Sequence, residues 1–158
     1  MSDHRAEAFA ERMRERGVVV EPREMDDTTH TAQDAANAIG CDVAAIVKSL
    51  LFVTGEGDDE SHVLVLASGP RRVNIDLITE LLGRPARMAD AKTVKRVTGS
   101  SIGGVPPFGH PQPIPTLFDK GLLELDEVWA AAASARSVFP IAPARLAELT
   151  SATVATVG

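Results

Sequence analysis

The sequence predicts an α+β fold, a mixed and mostly antiparallel sheet flanked by helices, in a single domain spanning residues 1–158. Three observations predict it. Two apolar runs rich in β-branched residues, 46–53 and 63–67, are joined by the acidic, glycine-bearing segment Gly55–Glu60, the pattern of an antiparallel hairpin. Helical periodicities interleave with further short β-rich runs, and the one clear adjacent strand pair is that hairpin, which favours a mixed sheet over a doubly wound parallel one. The chain has 158 residues, 44% hydrophobic and 24% charged, enough to bury ~68–70% of its unfolded surface without a covalent staple.

In order along the chain, residues 4–16 place Ala6, Phe9, Ala10 and Met13 at helical spacing, and Gly17 stops the helix. Val18–Val20 reads as a short strand. Thr31 caps a second helix that carries Asp34 in its first turn and ends at Gly40. After the hairpin, Asn74–Leu82 reads as a helix with Ile75, Ile78 and Leu82 inward, and Asp90–Thr98 as another, closed by Gly99. Residues 116–119, 127–132 and 137–139 read as strands, and Pro143 opens a last helix that runs to Thr150.

Composition narrows the function. A single cysteine, Cys41, rules out an internal disulfide framework, and at a predicted helix end it reads as a packing residue rather than a nucleophile. No apolar run approaches the ~18 residues of a membrane span, and the opening Met-Ser-Asp-His-Arg lacks a signal-peptide core. The expected location is the cytoplasm, with no membrane partner. A net charge of −6 argues against broad coating of nucleic acid, although residues 69–96 carry +4 and leave −10 on the remainder. That basic stretch, from Arg71 to Arg96, is either a small footprint for a polyanion or the solvated face of two helices.

Residues 99–115 hold five of the ten prolines and four of the twelve glycines. Glycine permits close approach to the main chain while proline stiffens it. Ile102, Val105, Phe108 and Ile114 set the segment apart from a solvated linker, so it reads as a ligand-facing loop. The second unusual feature is Lys48, which strand alternation places on one face with Ile46, Leu50 and Phe52. An ammonium on an apolar face either snorkels to water or lines a cleft and meets an anionic ligand.

Together these features carry a resemblance. Ile46-Val-Lys-Ser-Leu-Leu-Phe52, followed by Thr98-Gly99 and then Gly103-Gly-Val-Pro-Pro-Phe-Gly109, resembles the YbaK/ProX family of aminoacyl-tRNA deacylases, related to the editing domain of bacterial prolyl-tRNA synthetases. The similarity extends over Thr31–Gly40, Pro115–Asp119, Glu127–Trp129 and Val138–Pro140. One departure is the run Ala132-Ala-Ser-Ala-Arg136, where many members carry a glycine. Its added Cβ atoms are expected to narrow a pocket wall or to forbid a positive φ.

The resemblance implies hydrolysis of the ester between a small amino acid and the terminal adenosine of tRNA-Pro or a related tRNA. Lys48 and Gly104 are then the expected catalytic positions. Lys48 would hold the terminal nucleotide, and the backbone of Gly103, Gly104 and Val105 would surround the ester carbonyl and α-amino group. Ile46, Phe52, Pro106, Pro107, Phe108 and Ala133 are expected to complete the substrate site. Asp119 either orients the lysine or the substrate amine, or caps the turn at Lys120-Gly121. His110 is read as a structural hydrogen-bonding residue ahead of a proton shuttle, and Ser49, on the face opposite Lys48, is not read as a nucleophile. His4, His30, His62 and His110 are scattered and form no metal or hydrolase motif. No cofactor or metal is therefore expected, and the nucleophile is water or a group of the substrate. The implied partners are the aminoacylated tRNA acceptor end and a synthetase, with the oligomeric state open. The alternative is a non-catalytic module that binds the aminoacylated or nucleotide 3′ end while docked on a synthetase. A third reading is a small-molecule esterase sharing only the loop.

Overall fold

A computed structural model of the chain describes residues 3–25 and 31–158; His30, one of the scattered histidines, lies outside them. The first helix, α1 (His4–Glu15), is capped by the Asp3 side chain on the Ala6 amide and buries Ala6, Phe9, Ala10 and Met13. The second carboxylate oxygen of Asp3 accepts a hydrogen bond from the Ser137 hydroxyl at 2.7 Å, which fixes the helix start against the far end of the chain. Val18–Val20 does not form the expected strand. The Val18 amide closes α1 by donating to the Met13 carbonyl, so a two-residue strand, β1 (Arg23–Glu24), starts later. The helix α2 (Ala32–Ile39) has the predicted Thr31 cap, made reciprocal by the Asp34 side chain, and Gly40 ends it.

The hairpin of β2 (Val47–Thr54) and β3 (Ser61–Ser68) is the centre of the molecule. The helices α3 (Ile75–Leu82) and α4 (Ala91–Thr98) start at Asn74 and Asp90 caps. Between them lies β4 (Ala86–Met88), a strand not anticipated from the sequence because Ala-Arg-Met carries no strand periodicity. After the Gly/Pro loop come β5 (Thr116–Asp119), β6 (Val128–Ala131) and β7 (Ser137–Ile141). The chain closes with α5 (Pro143–Thr150) and an unanticipated β8 (Thr153–Ala155).

The strands form one sheet of order β4-β2-β3-β5-β8 and a second of order β1-β7-β6. The β3–β5 and β5–β8 pairings are parallel and the other four antiparallel, as a mixed and mostly antiparallel architecture requires. Both faces of the hairpin are covered. Val47, Leu51, Leu64 and Leu66 face the main core with Phe9, Met13, Phe118, Phe139 and Leu146. Phe52, Val63, Val65 and Ala67 face a second core against Ile78 of α3. Each large side chain so buried contributes about 1.5–3 kcal/mol, which accounts for the near-continuous apolar reading of these strands. Ile75 is 42% exposed rather than inward, since the α3 contact runs through Ile78 and Leu82.

Candidate active site

A cavity of about 300 Å³ opens beside the first half of β2. Its origin is topological. On this side β2 is bridged to β6 at Ile46–Trp129 and paired with β4 only from Phe52 to Thr54, so among the described residues no strand pairs with Lys48–Leu50 between them. An unpaired strand edge inside a cleft offers main-chain donors and acceptors that a ligand can take up. The walls are Ala32 and Ala35 of α2, Trp129 and Ala131 of β6, Ser134 and Ala135 of the following turn, and Ile102, Gly103 and Val105 of the Gly/Pro loop.

The loop is held from both ends. Val105 and Phe108 belong to the main core, and the Phe108 ring lies 5.9 Å from Phe9 and 5.7 Å from Phe139, centroid to centroid. The Gly104 amide donates to the Ser101 carbonyl at 2.9 Å, which makes Ser101–Gly104 a tight turn with Gly103 at its third position, φ +91°. A turn of that shape requires positive φ there, and glycine supplies it without strain. At Gly104 the requirement is space, since a Cβ would sit 3.0 Å from backbone atoms of Ser134 and Ala135. Gly103 and Val105 both line the cavity, and among the described residues their amides have no acceptor.

Lys48 lines the same cavity, half-buried. Its Nζ donates to the Arg71 carbonyl at 2.5 Å, leaving two further N–H donors. Burial pulls its pKa below the usual lysine range, opposed by the nearby Asp119 carboxylate and assisted by the Arg72 charge. Asp119 itself is buried away from the cavity, where it accepts from the Ser68 and Gly121 amides and from Arg71 Nε at 3.4 Å. It therefore caps the turn, and it acts on the lysine through its charge rather than by a hydrogen bond.

Several expected site residues lie elsewhere. Gly104 does not line the cavity and its amide is engaged within the turn, so it acts by letting the loop seat on residues 134–135. Phe52 shares the Lys48 face, but α3 covers that end of the strand and Phe52 becomes core. Phe108 is core, Pro107 is buried without lining the cavity, and Pro106 and Ala133 wall a second cavity behind the loop. Ala133 adopts φ +66° despite its Cβ, so the alanine run does not forbid a positive φ, and the residues of that turn reaching the first cavity are Ser134 and Ala135. His110 is buried with Nε2 2.7 Å from the Pro106 carbonyl, a structural bond within the loop. Ile46 does line the cavity.

Ser49 is the residue the sequence reading set aside. It lines the cavity, and its Oγ is buried with no hydrogen-bond partner among the described residues. The available signal was strand alternation, which puts a hydroxyl on the Val47–Leu51 face facing Val105.

The fold and cavity define an α+β domain that presents main-chain donors, the unpartnered Ser49 hydroxyl and the Lys48 cation to a small, largely apolar ligand space. Comparison with known proteins makes the class specific: residues 26–149 match the aminoacyl-tRNA editing domain family, and the chain belongs to that family. It is 33% identical over 125 residues to the uncharacterized protein YwhH of Bacillus subtilis, covering 79% of this chain and 78% of that protein. It is 30% identical over 95 residues to the proline–tRNA ligase of Limosilactobacillus fermentum, covering 59% of this chain but 17% of the ligase. Among solved structures, that of a proposed trans-editing enzyme for prolyl tRNA synthetase superposes with a TM-score of 0.91 at 39% identity, covering 99% of this chain and 98% of that one. The hypothetical protein APE2540 superposes with a TM-score of 0.84 at 31% identity, covering 97% and 98%.

Proposed function

We propose that the protein is a trans-editing hydrolase that removes a small, wrongly attached amino acid from tRNA in the cytoplasm. One observation carries the reading: Lys48, the Ser49 hydroxyl, the unpaired β2 edge and the free amides of Gly103 and Val105 converge on a single cavity. The terminal nucleotide's phosphate sits at the Lys48 ammonium. The ester carbonyl faces the Gly103 and Val105 amides, which are already oriented and need no reorganisation as negative charge develops on the oxygen. Water adds to the carbonyl carbon, the bond to the ribose oxygen breaks, and the ribose hydroxyl leaves with a proton taken from the water. Similarity to proline–tRNA ligases and to a trans-editing structure supports tRNA-Pro as the acceptor and a synthetase as the associated protein.

The amino-acid side chain faces Ile102, Val105, Trp129 and Ala135, a rigid apolar wall. An apolar site separates side chains differing by one methylene by ~1–3 kcal/mol, so a second site that excludes by size complements a synthetase that admits smaller residues. Alanyl, seryl or cysteinyl esters are the expected substrates and the prolyl ester is spared. Deacylation rates for alanyl-, seryl-, cysteinyl-, threonyl- and prolyl-tRNA at equal concentration test this. Lys48→Ala, folded by circular dichroism, is expected to lose at least ~10-fold, the equivalent of ~1.4 kcal/mol. Prolyl-tRNA as the fastest substrate, or no turnover of any ester, overturns the proposal; the latter outcome indicates a binding module.

A further inference from the structure

Behind the Gly/Pro loop lies a second cavity of about 450 Å³, walled on one side by α1 and on the other by Gly99, Ser100 and Pro106. We propose that Arg5, Arg12 and Arg16 make this cavity a binding site for the phosphodiester backbone of the tRNA acceptor strand. The inference rests on the tRNA reading above and adds a location to it.

The three arginines line the cavity and are exposed. At the helical period they fall within about 40° of one another, in a row about 16 Å long, the span of several backbone phosphates. Glu7 and Glu11 lie on the opposite flank of α1, Glu15 stands about 60° from Arg12 without an ion pair to it, and Arg14 is paired with Glu11 at 3.1 Å. Arg5, Arg12 and Arg16 have no carboxylate partner among the described residues. The guanidinium of Arg12 lies 5.8 Å from the Phe9 ring centroid, which braces it beside the core. In the more obviously basic stretch Arg71, Arg84 and Arg96 are each committed to a carboxylate, and the remaining cations, Arg72, Arg87, Lys92 and Lys95, do not line the second cavity. An arginine already paired loses that partner when it takes a phosphate, whereas the α1 row has nothing to release but water and counterions.

Position completes the case. The two cavities share walls, with Gly103 and Val105 on the first side and Pro106 on the second, and Ser134 on the first and Ala133 on the second. The arginine-lined cavity is thus separated from the first by a single loop, which places it within reach of a strand whose 3′ end occupies the first.

The experiment measures uncharged tRNA binding by fluorescence anisotropy across a salt series for the parent, the triple variant Arg5→Gln/Arg12→Gln/Arg16→Gln and the control Arg14→Gln. The triple variant is expected to bind at least tenfold more weakly, with a log–log salt slope shallower by about 2–3, at ~0.9 per phosphate. Arg14→Gln is expected to match the parent. Unchanged affinity and slope in the triple variant overturn the site, as does an equal loss in Arg14→Gln, which marks a general charge effect. Deacylation of an aminoacylated CCA trinucleotide separates the two proposals. An active parent and an equally active triple variant, with the variant slow only on full tRNA, support both. Loss of tRNA binding in the triple variant alongside an inactive parent supports the site and overturns the hydrolase.

Discussion

Ala133 is one of two described non-glycine residues, with Ser151, held at positive φ. Its φ of +66° lies in the left-handed region, which costs an alanine about 1–2 kcal/mol relative to right-handed backbone. Flanking bonds hold it there: the Ala132 amide donates to the Ser137 carbonyl at 3.0 Å, and the Arg136 amide to Ser134 Oγ at 3.1 Å. Ala133→Gly is therefore expected to raise the thermal midpoint by about 2–4 °C per kcal/mol of strain relieved. Because Ala133 faces the second cavity, its ester selectivity should match the parent's, and a broadened selectivity would place the residue in the substrate wall after all. Ser49 presents the opposite trade. A buried hydroxyl without a partner costs about 1–3 kcal/mol, so Ser49→Ala should be as stable as the parent or more so. In the proposed site it should also turn over more slowly, and a variant that is both less stable and fully active would show the hydroxyl to be structural.

At the level of elements, the Gly/Pro loop is a rigid partition. Phe108 anchors it in the aromatic cluster, Gly104 seats it on residues 134–135, and His110 ties its C-terminal half to Pro106. Burial holds the His110 pKa below its ordinary 6.5, against the raising effect of the Pro106 bond. The unfolded chain thus takes up a proton that the folded one resists, so stability is full above the ordinary histidine range and declines as pH falls through about 6.5. Thermal midpoints measured from about pH 7.5 to about pH 5.5 should fall for the parent and stay flatter for His110→Gln, a window above carboxylate titration. Parallel curves would mean that another group carries the acid sensitivity.

For the molecule as a whole, a net charge of −6 coexists with a local cationic row, because Arg5, Arg12 and Arg16 fall on one side of the first helix and its end. Summing charge along the chain points to residues 69–96, yet pairing in space commits Arg71, Arg84 and Arg96 of that stretch to carboxylates, while Arg5, Arg12 and Arg16 line one cavity without a carboxylate partner among the described residues. The same contrast holds for the cavity beside β2. Ile46, Lys48, Gly103 and Val105 were legible from the sequence and do line it. Gly104, Phe52, Phe108 and Asp119 were equally conspicuous, but their roles are to seat the loop, fill the cores and cap a turn.

Local chemistry determined the hairpin, the five helices, the caps at Thr31 and Asp90 and the stops at Gly40 and Gly99, because periodicity, cap residues and stop glycines act within a few positions of one another. It likewise marked the Gly/Pro segment as a built loop and singled out the strand lysine. The tertiary structure alone decided where β2 loses its partner, which amides remain free and which arginines remain unpaired. Each of those is set by groups far apart in sequence: β4 and β6 leave the edge bare, and Asp119 claims Arg71 across 48 residues. A short two- or three-residue strand such as β1, β4 or β8 carries too little pattern of its own to be read, and exists only because a neighbouring edge satisfies its backbone.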